Sequence, residues 1–401
     1  MFGASVYNNN NMKKILLLKA LLCTLIVQVF GQDSLVISSL ASNKYAFDYN
    51  ESKGFSGIGW DSIVTRATKN QYTLIGEIHG TKEVPLFLNA LVKQVKFETF
   101  VAEIDPYLST IMQEKLKSLS STQLQKWQKE TAGNLSFYSY QNDFELLKTL
   151  QASGIAIRGI DQITALNDAP IYLHLSELTK DRKKKQIYLK MAKNAQQMLS
   201  SLTTDPKKLP YLMSAQFESD LKELKAFKLS SQEQDIVEKL EYSRGIYTSR
   251  SGHQKRIKLM KNQLMNQYSN SLKGKKALFR LGANHSTKGE SLLTIFDIGN
   301  LAHNLAESQF NSSYHLAIYA NSGEAGNPFK GNPNTEVKLP KELTFITTLT
   351  YDGKWTYFDL KPLRKQIESG KLKVENEFIK RIIKGYDGLV VIPKATAGEH
   401  F

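Results

Sequence analysis

Two histidines stand at the ends of apolar runs in this sequence, and both are reached in the same way. Tyr72-Thr-Leu-Ile-Gly76 runs straight into Glu77-Ile78-His79-Gly80, and Ala277-Leu-Phe-Arg-Leu281 runs into Gly282-Ala283-Asn284-His285. In each case a glycine permits a sharp exit from a strand, and the histidine then sits at the strand mouth. A third run, Phe100-Val-Ala-Glu-Ile104, brings Glu103 and, one step beyond, Asp105. Side chains alternate across a strand, so Glu103 and Ile104 face opposite sides, and Glu103 is the preferred acid. Two roles are open to this cluster. Histidine titrates near neutral pH, so it can act as general base toward water while a carboxylate such as Glu77 fixes its tautomer. Alternatively, His79, His285 and Glu103 can hold a divalent metal with positions left for water and substrate. Both roles lead to hydrolysis.

Other readings lack their motifs. Gly54-Phe55-Ser56-Gly57-Ile58 misses the last glycine of a serine-hydrolase elbow. A His-Glu-x-x-His helix, a phosphate loop with lysine and a dinucleotide fingerprint are all missing from the sequence. Around the cluster, Arg256 has two readings, a solvated helix residue or an oxyanion-stabilising one. Asp161 either orients a site group or caps the next helix. Asn284 aims its amide at a substrate carbonyl or closes a turn. His253, nearly one turn before Arg256, is expected at the surface; Phe137, Tyr138 and Tyr140 either line an apolar pocket or, the preferred reading, pack in the core. His174, His303, His315 and His400 have no company that suggests chemistry.

The elements that must position these residues form an alternation. Besides the three runs above, Ile155–Ile160, His315–Tyr319 and Gly388–Ile392 read as strands, while Pro85–Lys96 and Asp143–Ser153 read as helices. Continuous apolar strands between helices predict an α/β fold, a mostly parallel central sheet flanked by helices. In such sheets ligands bind beyond the carboxyl ends of the strands, where both histidines fall. From Ile171 to Lys273 the sequence shows no strand pattern, only apolar residues at helical spacing, so a long all-helical insertion over one end of the sheet is expected. This divides the chain into 32–170 and 274–401, two parts of one α/β domain, separated by the insertion 171–273. Ser322–Pro340, rich in Gly, Asn and Pro, reads as a surface loop.

Residues 1–31 are set apart. Lys13 and Lys14 precede the apolar run Ile15–Phe30, which closes on Gly31, the pattern of a secretory signal peptide; residues 1–11 look like an upstream extension before Met12. Export to the periplasm or beyond is the expectation. Cys23, the single cysteine, is preceded by bulky Leu22, which disfavours a lipoprotein anchor. The mature chain then has no thiol, hence no disulfide or thiolate ligand. The leader carries three lysines and no acid, which leaves +12 of the chain's +15 net charge. That excess suits a solvated helix face or weak attraction to an anionic envelope surface. No zinc-finger or RNA-binding motif accompanies it, so no nucleic-acid partner is expected, and no transmembrane helix in the mature chain. The expected partner is a small-molecule substrate.

The order of these motifs resembles the erythromycin esterase-like superfamily. Gly76-Glu77-Ile78-His79-Gly80, Val101-Ala102-Glu103 and Gly159-Ile160-Asp161 are similar to its successive strand ends. Arg256-Ile-Lys-Leu-Met260-Lys-Asn262 is similar to its helical Arg-x-x-x-Met-x-x-Asn stretch, and Lys276–His285 to the strand that delivers its second histidine. Tyr386–Ile392 fits the last strand, so the resemblance is collinear over about residues 55–395. It implies a hydrolase that adds water to an ester or lactone, with His79 as general base and Glu77, Glu103, Arg256 and His285 lining the site, without a required cofactor. Three departures stand out. One residue fewer separates Glu77 from His79 than the family's Gly-Glu-x-x-His-Gly, a spacing closer to haem-binding ChaN-like proteins. Ile257 replaces the Asp that usually follows the arginine, and Asn262 falls one place early. The paired Gly-x-x-His with a strand glutamate also resembles the TraB and Tiki group, which includes metal-dependent proteases. The resemblance thus leaves room for haem or a divalent metal.

Overall fold

The computed structural model describes residues 34–131, 134–205, 207–329 and 331–401. The leader, with Cys23, lies outside the described residues. The strands are β1 (Lys44–Asn50), β2 (Gly54–Ser56), β3 (Tyr72–Glu77), β4 (Thr99–Ala102), β5 (Ala156–Gly159), β6 (Ala277–Gly282), β7 (Ser313–Ala320), β8 (Glu324–Ala325), β9 (Thr335–Glu336), β10 (Trp355–Asp359) and β11 (Gly388–Ile392). Among the described residues, nine form one sheet in the order β2-β1-β10-β11-β7-β3-β6-β4-β5, and β8 pairs with β9 alone. From β11 to β5 every neighbour is parallel; β10, β1 and β2 add an antiparallel edge. The α/β architecture expected from the sequence is therefore present.

Period-two alternation explains how the sheet is covered. Ile75, Phe100, Leu278, Leu316 and Val390 face one large core with Phe87, Leu91, Phe144 and Leu147 of the helices Glu83–Gln94 and Gln141–Ala152. On the other face, Leu74, Val101 and Phe279 meet Met260 and Leu264 of the helix Gly252–Ser271 and Ala302 of Ile298–Glu307. Ala317, Leu389 and Val391 continue that face against Leu363 and Ile382. Both faces are dry, which is why β3, β7 and β11 are buried along their whole lengths.

The described residues of 171–273 are helices and connecting turns without a strand, with a core of their own around Tyr172, Tyr188, Met191, Tyr211 and Phe217. Its last helix, Gly252–Ser271, is the one that crosses to the sheet. Two amides tether it: Gln263 Nε2 donates to the Asp161 carbonyl (3.2 Å) and Gln267 Nε2 to that of Gly159 (2.9 Å). The described residues of Ser322–Pro340 are mostly exposed or half-buried, the surface loop expected of its composition. It carries the β8–β9 hairpin and folds over a cavity at the strand ends.

Candidate active site

The parallel strands point their carboxyl ends to one edge of the sheet, and the register decides what meets there. Glu77, last in β3, lies opposite Gly282, last in β6. Gly282 leaves room for the cluster, because a Cβ there would stand 3.1 Å from His79 Nε2 and crowd that ring. Its N–H donates to Glu103 Oε2 (2.6 Å), which turns that carboxylate over the strand mouth. Gly80, at φ +84, turns the chain away after His79; a side chain there would meet the Gly326 carbonyl at 2.9 Å.

His79 is clamped. Its Nδ1–H donates to Glu77 Oε1 (2.7 Å), and Nε2 faces Glu103 Oε2 at 3.6 Å. Glu77 is fully buried and accepts from Arg280 Nε (2.9 Å), whose Nη1 in turn pairs with buried Asp143. Burial alone would push the Glu77 carboxyl up, but Arg280 and His79 outweigh it and hold it below its ordinary value. A carboxylate can only accept, so Nδ1 of His79 carries the proton. Burial works against the His79 charge, yet Glu103 and Glu77 prevail and raise its pKa to about 10. Phe137 lies flat against the imidazole, centroids 4.1 Å apart at 16°, a face on which a cationic ring is favoured. The ring keeps 30% exposure toward the cavity.

His285 follows β6 in the short turn Ala283–His285, and its Nδ1 is 2.8 Å from Asp297 Oδ2. Asp297 also caps the helix Ile298–Glu307, its other oxygen accepting from the Ile298 N–H (2.7 Å). The far nitrogen of His285 faces Glu103 Oε1 at 3.5 Å and Arg256 Nη1 at 3.4 Å. Burial lowers the His285 pKa, but Glu103 and Asp297 reverse this and raise it. Arg256 is gripped by Asp161 through Nε (2.8 Å) and Nη2 (2.6 Å), and the same Nη2 reaches Glu103 Oε1 (2.6 Å). Against burial, His285, His79 and Arg256 together hold Glu103 well below the usual carboxylate range.

All five residues expected at the site, His79, Glu77, Glu103, His285 and Arg256, thus form one connected array. Arg256 is not a solvated helix residue, since Asp161 and Glu103 hold its guanidinium among these groups. Asp161 orients that arginine; Asp105 is the acid that caps, its carboxylate accepting from the N–H groups of Tyr107 and Leu108 at the start of Pro106–Ser118. Tyr138 packs in the core, while Phe137 and Tyr140 line the cavity, the pocket reading rather than the preferred packing one. His253 is half-buried rather than at the surface, its ring centroid 5.9 Å from that of His285. Asn284 is exposed. His315 bonds the Ser286 carbonyl (2.6 Å) away from the array. Sequence reasoning missed Asp297, Arg280 and Asp143. A charged Arg280 inside an apolar strand was the available signal for an acid nearby; Asp297 offered only a helix cap.

The array does not fit a metal ion. Among the described residues no group of His, Cys, Asp and Glu is placed to hold an ion. The donor chemistry agrees: Glu103 already spends Oε1 on a guanidinium and Oε2 on an amide, and a cation between the imidazoles would sit against Arg256. Haem fits no better at His79, whose two nitrogens both face carboxylates, and Tyr140 spends its hydroxyl on the Gly326 carbonyl (2.8 Å).

Above the array lies a cavity of about 630 Å³ walled by Phe137, Tyr140, Leu166, Leu199, Tyr247 and Phe329. A polar floor of His79, Arg256 and the carboxylates of Glu103 and Asp161 under an apolar vault at a parallel sheet's carboxyl edge defines an α/β protein with an acid–histidine site. Comparison with solved structures narrows this. An erythromycin esterase variant in its open conformation matches over 85% of this chain and 94% of its own, at TM-score 0.54 and 16% identity. A succinoglycan biosynthesis protein matches over 92% and 98%, at 0.53 and 14%. A Bacillus cereus protein matches over 92% and 99%, at 0.53 and 12%. The chain has the erythromycin esterase-like fold. No protein-family model and no curated protein matches its sequence.

Proposed function

We propose that this protein is an exported hydrolase that adds water to an ester, lactone or related bond over His79. The observation that supports the reading best is the clamp itself: an imidazole held by Glu77, faced by Glu103 and open to an apolar cavity beside a fixed guanidinium. A buried acid–histidine pair costs roughly 1–3 kcal/mol per desolvated group unless partnered, and this one is partnered in a way that favours imidazolium, the form a water-activating histidine becomes. His79 Nε2 takes a proton from water as the water oxygen bonds to the acyl carbon. Arg256 stabilises the resulting oxyanion. The acyl–oxygen bond then breaks, and the imidazolium returns the proton to the leaving alkoxide. The helical stretch 171–273 supplies Leu199 and Tyr247 to the cavity, and we assign it the role of cap over the substrate. Export rests on the Lys13–Gly31 pattern.

The test is turnover of aryl esters and lactones by the mature chain and by His79→Ala and His79→Gln, with circular dichroism as the check on folding. A loss of 10²-fold or more, the usual worth of a general base, is expected in both; folded variants with unchanged turnover would sink the proposal. Amino-terminal sequencing of the exported chain should begin near Gln32.

A further inference from the structure

The array has a second hollow on its other side. About 610 Å³ in volume, it is walled by Leu292, Leu293, Tyr319, Pro340 and Phe378. The two hollows share Ile78, His79, Glu103 and Arg256, so the reactive groups form a polar ridge between two mostly apolar basins. The basins come from different parts of the chain. The first takes Leu199 and Tyr247 from the helical stretch and Phe329 from the segment before β9. The second takes Leu292 and Leu293 from the loop between His285 and Asp297, and Phe378 from the helix Glu377–Gly385. Leu293 is 46% exposed at the rim and Phe296 in the same loop 57%, so among the described residues this loop shows water an apolar surface.

We propose that the substrate is two-armed: an ester whose acyl and alcohol parts are both apolar, laid across the ridge with one arm in each basin and its carbonyl over His79 and Arg256. A single-basin site would bury one arm and leave the other in water. Here each arm has a hydrophobic receptor of its own, and only the central bond meets charged groups. Desolvation of the arms holds the carbonyl in place without a hydrogen bond to either arm, so selectivity follows arm length rather than arm chemistry. The inference rests on the hydrolase reading only for the identity of the central bond.

The experiment therefore reads binding apart from cleavage. Dialkyl ketones, in which the carbonyl stands for the ester and cannot be hydrolysed, are titrated calorimetrically while each arm is lengthened in turn. Affinity should rise about fourfold per methylene on either arm. Phe329→Ala should flatten the gain for one arm, and Phe378→Ala or Leu293→Ala for the other, each leaving the opposite arm's gain intact. Leu293 lies exposed on a loop, so its variant is expected to fold even where that of Phe378 does not. Dependence on one arm only, or loss of the same arm's gain in both sets of variants, overturns the proposal. Ketones that bind in this pattern to a protein that cleaves no ester would support the two basins and refute the hydrolase.

Discussion

At the residue scale, the charge state of His79 governs what can be measured. With its pKa raised to about 10 the resting ring is an imidazolium at neutral pH. The water-activating form is then the minor one, and kcat/KM should climb with unit slope in log units from near pH 6 toward pH 10. Glu103→Gln removes a carboxylate that sustains the cation, so the alkaline inflection in a pH–rate profile should fall by a unit or more, about 1.4 kcal/mol per unit. A profile with an unmoved inflection would mean that His79 is not the group titrating. Phe137→Leu removes the ring under the imidazolium, whose contact is worth roughly 0.5–1 kcal/mol at exposed sites, and should lower the same inflection by less than one unit. Much of this was legible in the sequence. The two Gly-x-x-His exits and the acid at 103 are strand-end features, and strand ends can be read locally. Asp297, twelve residues after His285, has no such mark, because its pairing depends on the path of an intervening loop.

At the scale of elements, β3, β6 and the helix Gln141–Ala152 share a buried chain of charge, Asp143–Arg280–Glu77–His79. Burial and the neighbouring Glu77 raise the Asp143 pKa, Arg280 opposes them, and the result is about 6. Arg280→Met removes the guanidinium that Glu77 and Asp143 share inside the sheet. It should cost about 3–5 kcal/mol in denaturant unfolding, the usual penalty for breaking a buried pair; a second change, Glu77→Gln, should recover part of it. Equal stability of the single variant and the parent would show that the pair contributes nothing. Sequence legibility differed among the elements. The parallel strands announced themselves as apolar runs buried on both faces. β1, β2 and β10 did not, since strands of the antiparallel margin such as Lys44–Asn50 mix polar and aromatic residues and take their structure from pairing with β10, some three hundred residues away. The β8–β9 hairpin, two residues a side, is below what periodicity can reveal.

For the whole molecule, pH acts through opposing groups. Glu77, Glu103 and Asp387 are held low, so their contribution is present above the unfolded carboxyl values and is lost as pH falls. Asp105 and Asp168, pushed up to about 7 by burial, favour the folded state when protonated and cost stability as pH rises from about 4 toward 7. His79 contributes fully below about 6.5 and loses its share as pH rises toward about 10. The sum places maximal stability near pH 5 by linkage, checked by melting temperature against pH. A maximum above pH 8 would contradict these signs. Among the described residues no helix is long and apolar enough to cross a membrane.

The sheet order has a consequence for how the protein is made. β3, the strand that carries Glu77 toward His79, lies between β6 and β7, and both come some two hundred residues later in the chain. β4 and β5 pair with each other, and β4's second neighbour is again β6. A ribosome adding roughly 5–20 residues per second would leave Tyr72–Glu77 without a neighbour for about 10–40 s. Through that interval a dry, six-residue strand has both edges open, a condition that favours chaperone capture over early folding. A nascent chain halted before Lys276 should be degraded by a protease that spares one halted after Ala320. The histidine site is thus assembled late, when β6 slots between strands made long before it.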